Sequence, residues 1–327
     1  MKDDELRAIR DAIDADRPIP EPEDPALYPV YESLELLKQR YESRIRELEQ
    51  AASERDAFYS DMQQMRSEHH MAEEIQRSLL PGDADGFRES HHADLYADMD
   101  TAWEIGGDFY DYFPLDEEHL FFCIGDVSGK GVSAALFCAI VKTAIAMSMQ
   151  TGTDPAQVCT EVSARLYQTQ RGKSRMFATL WAGVLEKTSG IVTYVNAGHE
   201  LPLLVRKKGE IIAAGERTGF PVASWYDRNH PEKNTYTSGT LAMEAGDALV
   251  LFTDGLTDSE NEEGQRFGAQ RIRESLADFP VREQDARETV SYLERRIGAF
   301  ADHGIRDDDI TLLMLRFLGD LPAQTPD

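Results

Sequence analysis

Four aspartates carry the chemistry that this sequence is equipped to do. Asp108 stands in EIGGDFYDYF, Asp126 in CIGDVSGKG, Asp254 in LVLFTDGLTD and Asp308 in IRDDDITLLML. Each sits at a turn beside an apolar or glycine-rich run. One aspartate next to a glycine is an ordinary turn signal. Four with the same local grammar predict something more. Three of them flank almost wholly apolar strands, which puts their side chains at the rim of a buried sheet. Ionised carboxylates gathered there repel one another and resist desolvation unless a cation compensates them. All-oxygen donors suit hard divalent ions such as magnesium or manganese. A pair of such ions clamps a phosphoryl group and brings the pKa of a bound water into a useful range.

The glycines around Asp126 invite a rival reading as a nucleotide loop, and spacing rejects it. A P-loop places four residues between its glycines and a hydroxyl residue after its lysine. Here Gly125 and Gly129 enclose three, and Gly131 follows Lys130. Asp126 therefore reads as a carboxylate perch at a strand end, with glycines that let the backbone turn away. Lys130 reads equally as a phosphate contact and as a solvated side chain.

The elements that must position these residues follow from composition and periodicity. Residues 1–30 form an acidic segment dotted with proline (DRPIPEPEDPALYP), with room for a short helix over 3–16 and then an extended stretch. Residues 31–80 contain no glycine and no proline before the end and are rich in helix formers. A heptad numbered from Leu34 places Leu34, Tyr41, Leu48, Met62 and His69 at one seam position. Leu37, Ala51, Phe58, Met65, Ala72 and Leu79 fall at the other, and Arg44, Arg55 and Gln76 interrupt. This spacing predicts a coiled-coil regulatory and dimerising segment, or one long helix folded back on its own domain. Pro81-Gly82 ends the helix, and 81–90 read as a linker.

Over 91–318 the period shortens. Strand-like runs include DLYADMDTA, HLFFCIGD, MFATLWAGVLE, IVTYVNAG, LPLLVRKKGEIIAA, DALVLFTDG and DITLLMLRF, mostly joined by short turns that favour antiparallel pairing. Helical patterns occupy roughly 131–149, 154–170, 266–278 and 282–299. Strands clustered apart from helix pairs predict an α+β layered domain. Residues 319–327 read as a solvated tail.

Bulk properties narrow the function classes. In a chain of 327 residues, 60 acidic against 34 basic side chains give a formal charge of −26. That balance argues against sequence-independent nucleic-acid binding and against docking on anionic membranes. Cys123, Cys138 and Cys159 lie in apolar stretches without CxxC spacing, which predicts inert buried thiols in a reducing cytoplasm. No secretory signal is read at the start, and the oily run 133–149, broken by Lys142, reads as a buried helix.

Taken in order, GGDFYD, GDVSGKG, FATLWAGVLE, VNAGHELPLLV, LFTDGLTD and DDDITLLML resemble the PPM metal-dependent serine/threonine phosphatases (protein phosphatase 2C-like). The likeness is to the bacterial branch typified by RsbU and SpoIIE and covers about 71–318, since AEEIQRSLLP is similar to the segment leading into such domains. The resemblance implies a four-layer α-β-β-α sandwich of two antiparallel sheets flanked by helices, preceded by the coiled-coil helix. It also implies two Mn²⁺ or Mg²⁺ ions at one edge. Carried over by residue, Asp126 would bridge both ions and the Val127 carbonyl would bind one. Asp254 and Asp308 would hold the other, and Asp108 would order the ligand shell. Asp307 and Asp309 adjoin Asp308 closely enough to share its role. The implied reaction is hydrolysis of phosphoserine or phosphothreonine by direct attack of water, without a phosphoenzyme. The implied substrate is a phosphorylated STAS-type anti-sigma-factor antagonist, within partner-switching control of a sigma factor. A homodimer and an activator acting on the N-terminal helix complete the expected partners.

Two features of the eukaryotic branch are missing. TAWEIGG holds no phosphate-gripping arginine before Asp108, and Ser128 stands where a histidine proposed as general acid would be. His199 in NAGHE reads as a turn residue, with Asn196 fixing the turn. Trp103, Trp181 and Trp225 read as packing residues, and the pairs His69-His70 and His91-His92 lack partners for zinc. Two further readings are a silent scaffold with the same sandwich and a metal-dependent hydrolase of small phosphorylated molecules.

Overall fold

A computed structural model describes residues 2–15, 17–82, 92–103, 105–152, 154–170, 176–224, 235–281, 283–301 and 308–319. Its contacts divide the chain into two units, Met1–Glu68 and His69–Asp327. In the first, α1 (Lys2–Asp14) is followed by an extended stretch and a single 3-10 turn at Pro25–Leu27. The Asp24 side chain caps that turn, accepting from Ala26 N at 2.9 Å. Ile9, Ala12, Ile19 and Leu27 supply its buried apolar side chains.

The long helix α2 runs from Tyr28 to Leu79 and contributes to both units. It begins three residues earlier than the composition suggests. Pro29 lies in its first turn, where no intrahelical N–H partner is required. Its side chains at the heptad positions Leu37, Tyr41, Leu48, Phe58 and Met65 are exposed, and Gln76 is its buried residue.

The second unit is the expected sandwich. The first sheet has the order β1 (Ala93–Asp100), β10 (Ile310–Phe317), β9 (Ala248–Phe252), β6 (Leu203–Val205) and β7 (Ile211–Ala213). The second has β2 (Phe109–Pro114), β3 (His119–Val127), β4 (Ala178–Glu186), β5 (Ile191–Ala197) and β8 (Gly239–Ala242). Every named strand pair is antiparallel. Because side chains alternate across a strand, each sheet presents two apolar faces and needs two covers. Leu95, Phe122, Ile124, Trp181, Tyr194, Leu249, Leu313 and their neighbours fill the space between the sheets. On the outer face of the second sheet lie α3 (Val132–Met149) and α4 (Pro155–Thr169). Outside the first lie α6 (Gly268–Asp278) and α7 (Ala286–Phe300), with the one-turn helix α5 (Asp254–Asp258) at the end of β9.

Local signals explain where the outer helices start. Asp154 accepts from Ala156 N ahead of Pro155, and Asp285 with Glu288 forms a complete capping box on α7. By length and composition α3 is apolar enough to cross a membrane. In the fold it buries Ala134, Phe137, Cys138, Val141, Ile145 and Met149, all in the core formed with the second sheet and α4. The three cysteines are buried, and burial pushes the Cys138 thiol up to about 12.

Candidate metal and catalytic site

All four aspartates named from the sequence come to one rim of the sandwich, from four separate elements. Asp126 is the penultimate residue of β3, and Asp108 directly precedes β2. The two are held together because Phe109 pairs with Gly125 across the β2–β3 ladder. Asp254 opens α5 immediately beyond β9, and Asp308 precedes β10. The β9–β10 ladder, with Phe252 opposite Leu312, brings those two corners together.

Close approach is built from glycines. A Cβ on Gly106 would overlap the Asp309 carboxylate, and one on Gly107 would sit 2.9 Å from the Val127 carbonyl oxygen. A Cβ on Gly255 would overlap the Asp309 backbone, so α5 also packs flush against the Asp308–Asp309 corner.

The carboxylates differ in surroundings. Asp108 is buried, and its Oδ2 accepts hydrogen bonds from Thr253 Oγ1 at 2.8 Å and Thr311 Oγ1 at 2.6 Å. Burial first, and the charge of Asp126 second, raise its pKa well above the carboxylate range. Asp126 is raised to about 7, by burial and then by the charges of Asp254, Asp308 and Asp309, while a hydrogen bond with Asp108 opposes the shift. Burial and the charge of Asp308 also raise Asp254, with smaller contributions from Asp258 and Glu200. Asp308 is half exposed, with Oδ2 4.0 Å from Lys130 Nζ.

This is an arrangement of neighbours, not a finished ligand shell. Among the described residues, no three His, Cys, Asp or Glu side chains are grouped to hold one ion. The electrostatics still fit a hard cation. Several oxygens with mutually raised pKa values lie beside a shallow depression whose lining includes Trp103, Asp126, Lys130, Asp308 and Asp309. A divalent charge there would relieve the repulsion that now favours protons. Of the expected set, Asp108, Asp126, Val127, Asp254 and Asp308 all reach this rim. Asp307 lies outside the described residues.

Asp309 occupies a different position from Asp308. Its Oδ1 accepts from Ala102 N at 2.9 Å, and its Oδ2 accepts from Gly107 N at 2.6 Å and Asp108 N at 3.4 Å. It is the anchor of the loop that delivers Asp108. The same loop is gripped from its other side by Gln76, whose amide donates to Gly106 O at 2.8 Å and accepts from Gly106 N at 3.1 Å. The heptad reading counted Gln76 only as an interruption. A lone amide on an apolar seam was the available signal. Thr253 and Thr311 left none, since threonine is ordinary in strands.

Other residues resolve plainly. Ser128 Oγ accepts from Phe177 N at 3.0 Å and so ties two loops together. Asn196 Oδ1 accepts from His199 N at 2.8 Å, which fixes the turn as expected. Trp181 is fully buried and stacks on Tyr194 at 5.3 Å between centroids. Trp103, expected in packing, is instead 59% exposed, because the flanking loop runs along the rim and not under it. Trp225 and His91 lie outside the described residues.

Comparison with known proteins agrees with this geometry. Residues 116–318 match the family model for Stage II sporulation protein E (SpoIIE). Protein IcfG of Synechocystis sp. is 27% identical over 277 residues, which is 76% of this chain and 41% of IcfG. Phosphoserine phosphatase RsbU of Bacillus subtilis is 28% identical over 269 residues, 81% of this chain and 75% of RsbU. The chain thus spans under half of one curated relative and three quarters of the other. Among solved structures, the SiaA-PP2C domain of Pseudomonas aeruginosa superposes with a TM-score of 0.66 at 20% identity, covering 78% of this chain and 98% of that domain.

Proposed function

Because this chain belongs to the SpoIIE family of PP2C-type serine/threonine phosphatases, we propose that its sandwich hydrolyses phosphoserine and phosphothreonine in a partner protein. The observation that carries the reading is the convergence of Asp108, Asp126, Asp254 and Asp308 on one rim, with Asp126 held at about 7 by burial and its neighbours' charges.

PP2C-type phosphatases are metal-dependent, and a pair of Mn²⁺ or Mg²⁺ ions supplies charge neutralisation on the phosphoryl oxygens and an ionised water at neutral pH. The residues that would hold them are Asp126, the Val127 carbonyl, Asp254 and Asp308. Asp108, fixed by Thr253 and Thr311, keeps the Asp126 carboxylate oriented. Lys130 stands beside Asp308 where an incoming phosphate would enter. Ser128 is engaged with the Phe177 backbone.

Likeness to RsbU supports a STAS-type anti-sigma-factor antagonist as substrate in a cytoplasmic partner-switching pathway. The exposed heptad side chains of α2 support a homodimer with an activator acting on that helix. The experiment is turnover of a phosphorylated STAS protein and of a phosphopeptide with added Mn²⁺. Turnover that Asp126→Asn abolishes supports the reading. Silence with both substrates at every metal concentration contradicts it.

A further inference from the structure

His199 is buried at 2% exposure, in the turn after β5 and away from the loops that deliver the four aspartates. Its ring does not reach the depression on the rim. Burial pushes its pKa down to about 4, with the Phe252 backbone opposing, so the imidazole is neutral across the physiological range. It has no role in the reaction as drawn above, yet its contacts lead to the site from behind.

Nδ1 of His199 lies 2.8 Å from Thr179 Oγ1. Thr179 is the direct cross-strand partner of Asp126 in the β3–β4 ladder, so their side chains share one face. The same hydroxyl lies 3.5 Å from the Asp126 carbonyl oxygen and donates to it when the imidazole acts as the other donor. Residues that alternate with Thr179 and Asp126 on that face, Trp181 and Ile124, point into the core between the sheets. The ring therefore stands between the sheets. The turn itself is locked, since His199 N donates to Asn196 Oδ1 and Asn196 N donates to Thr218 Oγ1 at 2.8 Å.

We propose that His199 is a positioning residue for the metal site, acting through the Thr179 hydroxyl to fix the end of β3 that carries Asp126. A shift of this strand end would move the Asp126 carboxylate relative to the cations it would hold. Hydrogen-bond partners behind a ligand typically change metal affinity by about 10–100-fold when removed. The inference rests on the metal-dependent reading above.

The test is Mn²⁺ binding to the full-length protein by calorimetry, with phosphopeptide kinetics and thermal unfolding measured on the same samples. Thr179→Val keeps the β-branched shape of a strand residue and removes only the hydroxyl, while His199→Phe keeps a ring and removes both nitrogens. Each is expected to weaken Mn²⁺ binding about tenfold and to lower kcat at fixed metal with KM for phosphopeptide little changed. The double variant is expected to be no worse than either single one, because both break one connection. Thr179→Ser, which retains the hydroxyl, should bind Mn²⁺ within about twofold of the unaltered protein. Wild-type Mn²⁺ affinity in folded Thr179→Val overturns the inference and leaves the metal reading standing. An equal loss in Thr179→Ser also overturns it. Absence of Mn²⁺ binding by the unaltered protein overturns the metal reading and this inference with it.

Discussion

Asp309 and Asp126 occupy neighbouring corners of one rim, and their surroundings could hardly differ more. Asp309 is met by three backbone N–H groups, from Ala102, Gly107 and Asp108. Asp126 is met mainly by other carboxylates, which with burial hold it at about 7. A buried carboxylate answered by fixed donors is complete within the chain and does structural work. One that faces its own kind is costly as it stands and waits for a positive charge from outside. Adjacent residues thus differ in surroundings, since Asp309 is answered by backbone donors while Asp308 is half exposed beside Lys130.

The strongest way to break this comparison is to neutralise both corners. Asp126→Asn is expected to cut phosphopeptide turnover by ~10³-fold or more, the several kcal/mol that metal-held charge contributes to such a transition state. In the same variant, metal-free protein should melt a few degrees higher, with 1 kcal/mol corresponding to about 2–4 °C for a domain of this size. Asp309→Ala should do the reverse and destabilise, by about 3 kcal/mol as its donors lose their acceptor. Denaturant unfolding in chelator measures both. A stabilised Asp309→Ala, or a destabilised Asp126→Asn, would erase the distinction drawn here.

A smaller effect is expected at the grip on the same loop from α2. Gln76→Leu strips Gly106 of two partners, and the expected cost is about 1–3 kcal/mol, with lower turnover and weaker metal response. An unchanged metal requirement in a folded Gln76→Leu protein would separate this helix end from the site.

pH provides a fourth test. A carboxyl group raised from its ordinary range to about 7 favours the folded state at low pH, and that contribution is lost as pH rises through about 7. Metal-free protein should therefore lose stability between about pH 4 and about pH 7, and saturating Mn²⁺ should remove much of the slope. The smallest expected effect concerns the exposed seam of α2. Placing glutamate at Leu48 and Phe58 should reduce the mass seen by light scattering, with modest change in turnover at saturating metal. An unchanged mass would contradict the homodimer.

Much of this was legible before the fold was known. Apolar runs gave β3, β4, β5, β9 and β10, because strands buried between sheet and helix read as continuous oily segments, while β1 showed through its alternation. The four outer helices were visible for a related reason, since each buries an apolar face against a sheet. LPLLVRKKGEIIAA looked like one run but is a hairpin, β6 and β7, turning through 206–210. β8 was missed because it is a short, half-exposed edge strand, and β2 because its glycine-rich approach masked a six-residue strand.

Within the site, the aspartates announced themselves through repetition of one pattern. The residues that orient them did not. Thr179, Thr253 and Thr311 look like any β-branched strand residue, and their meaning lies in cross-strand register that no local window contains. Asp309 was read as able to share the role of Asp308 and not as a loop anchor, since backbone donors leave no trace in sequence.

The central claim, that carboxylates from four distant segments meet in order to share hard cations, has one direct measurement. A crystal of the full chain soaked in Mn²⁺ and read by anomalous scattering should show density bounded by Asp126, Asp254 and Asp308. Absence of density there at saturating Mn²⁺, with those three side chains ordered and apart, would contradict the account.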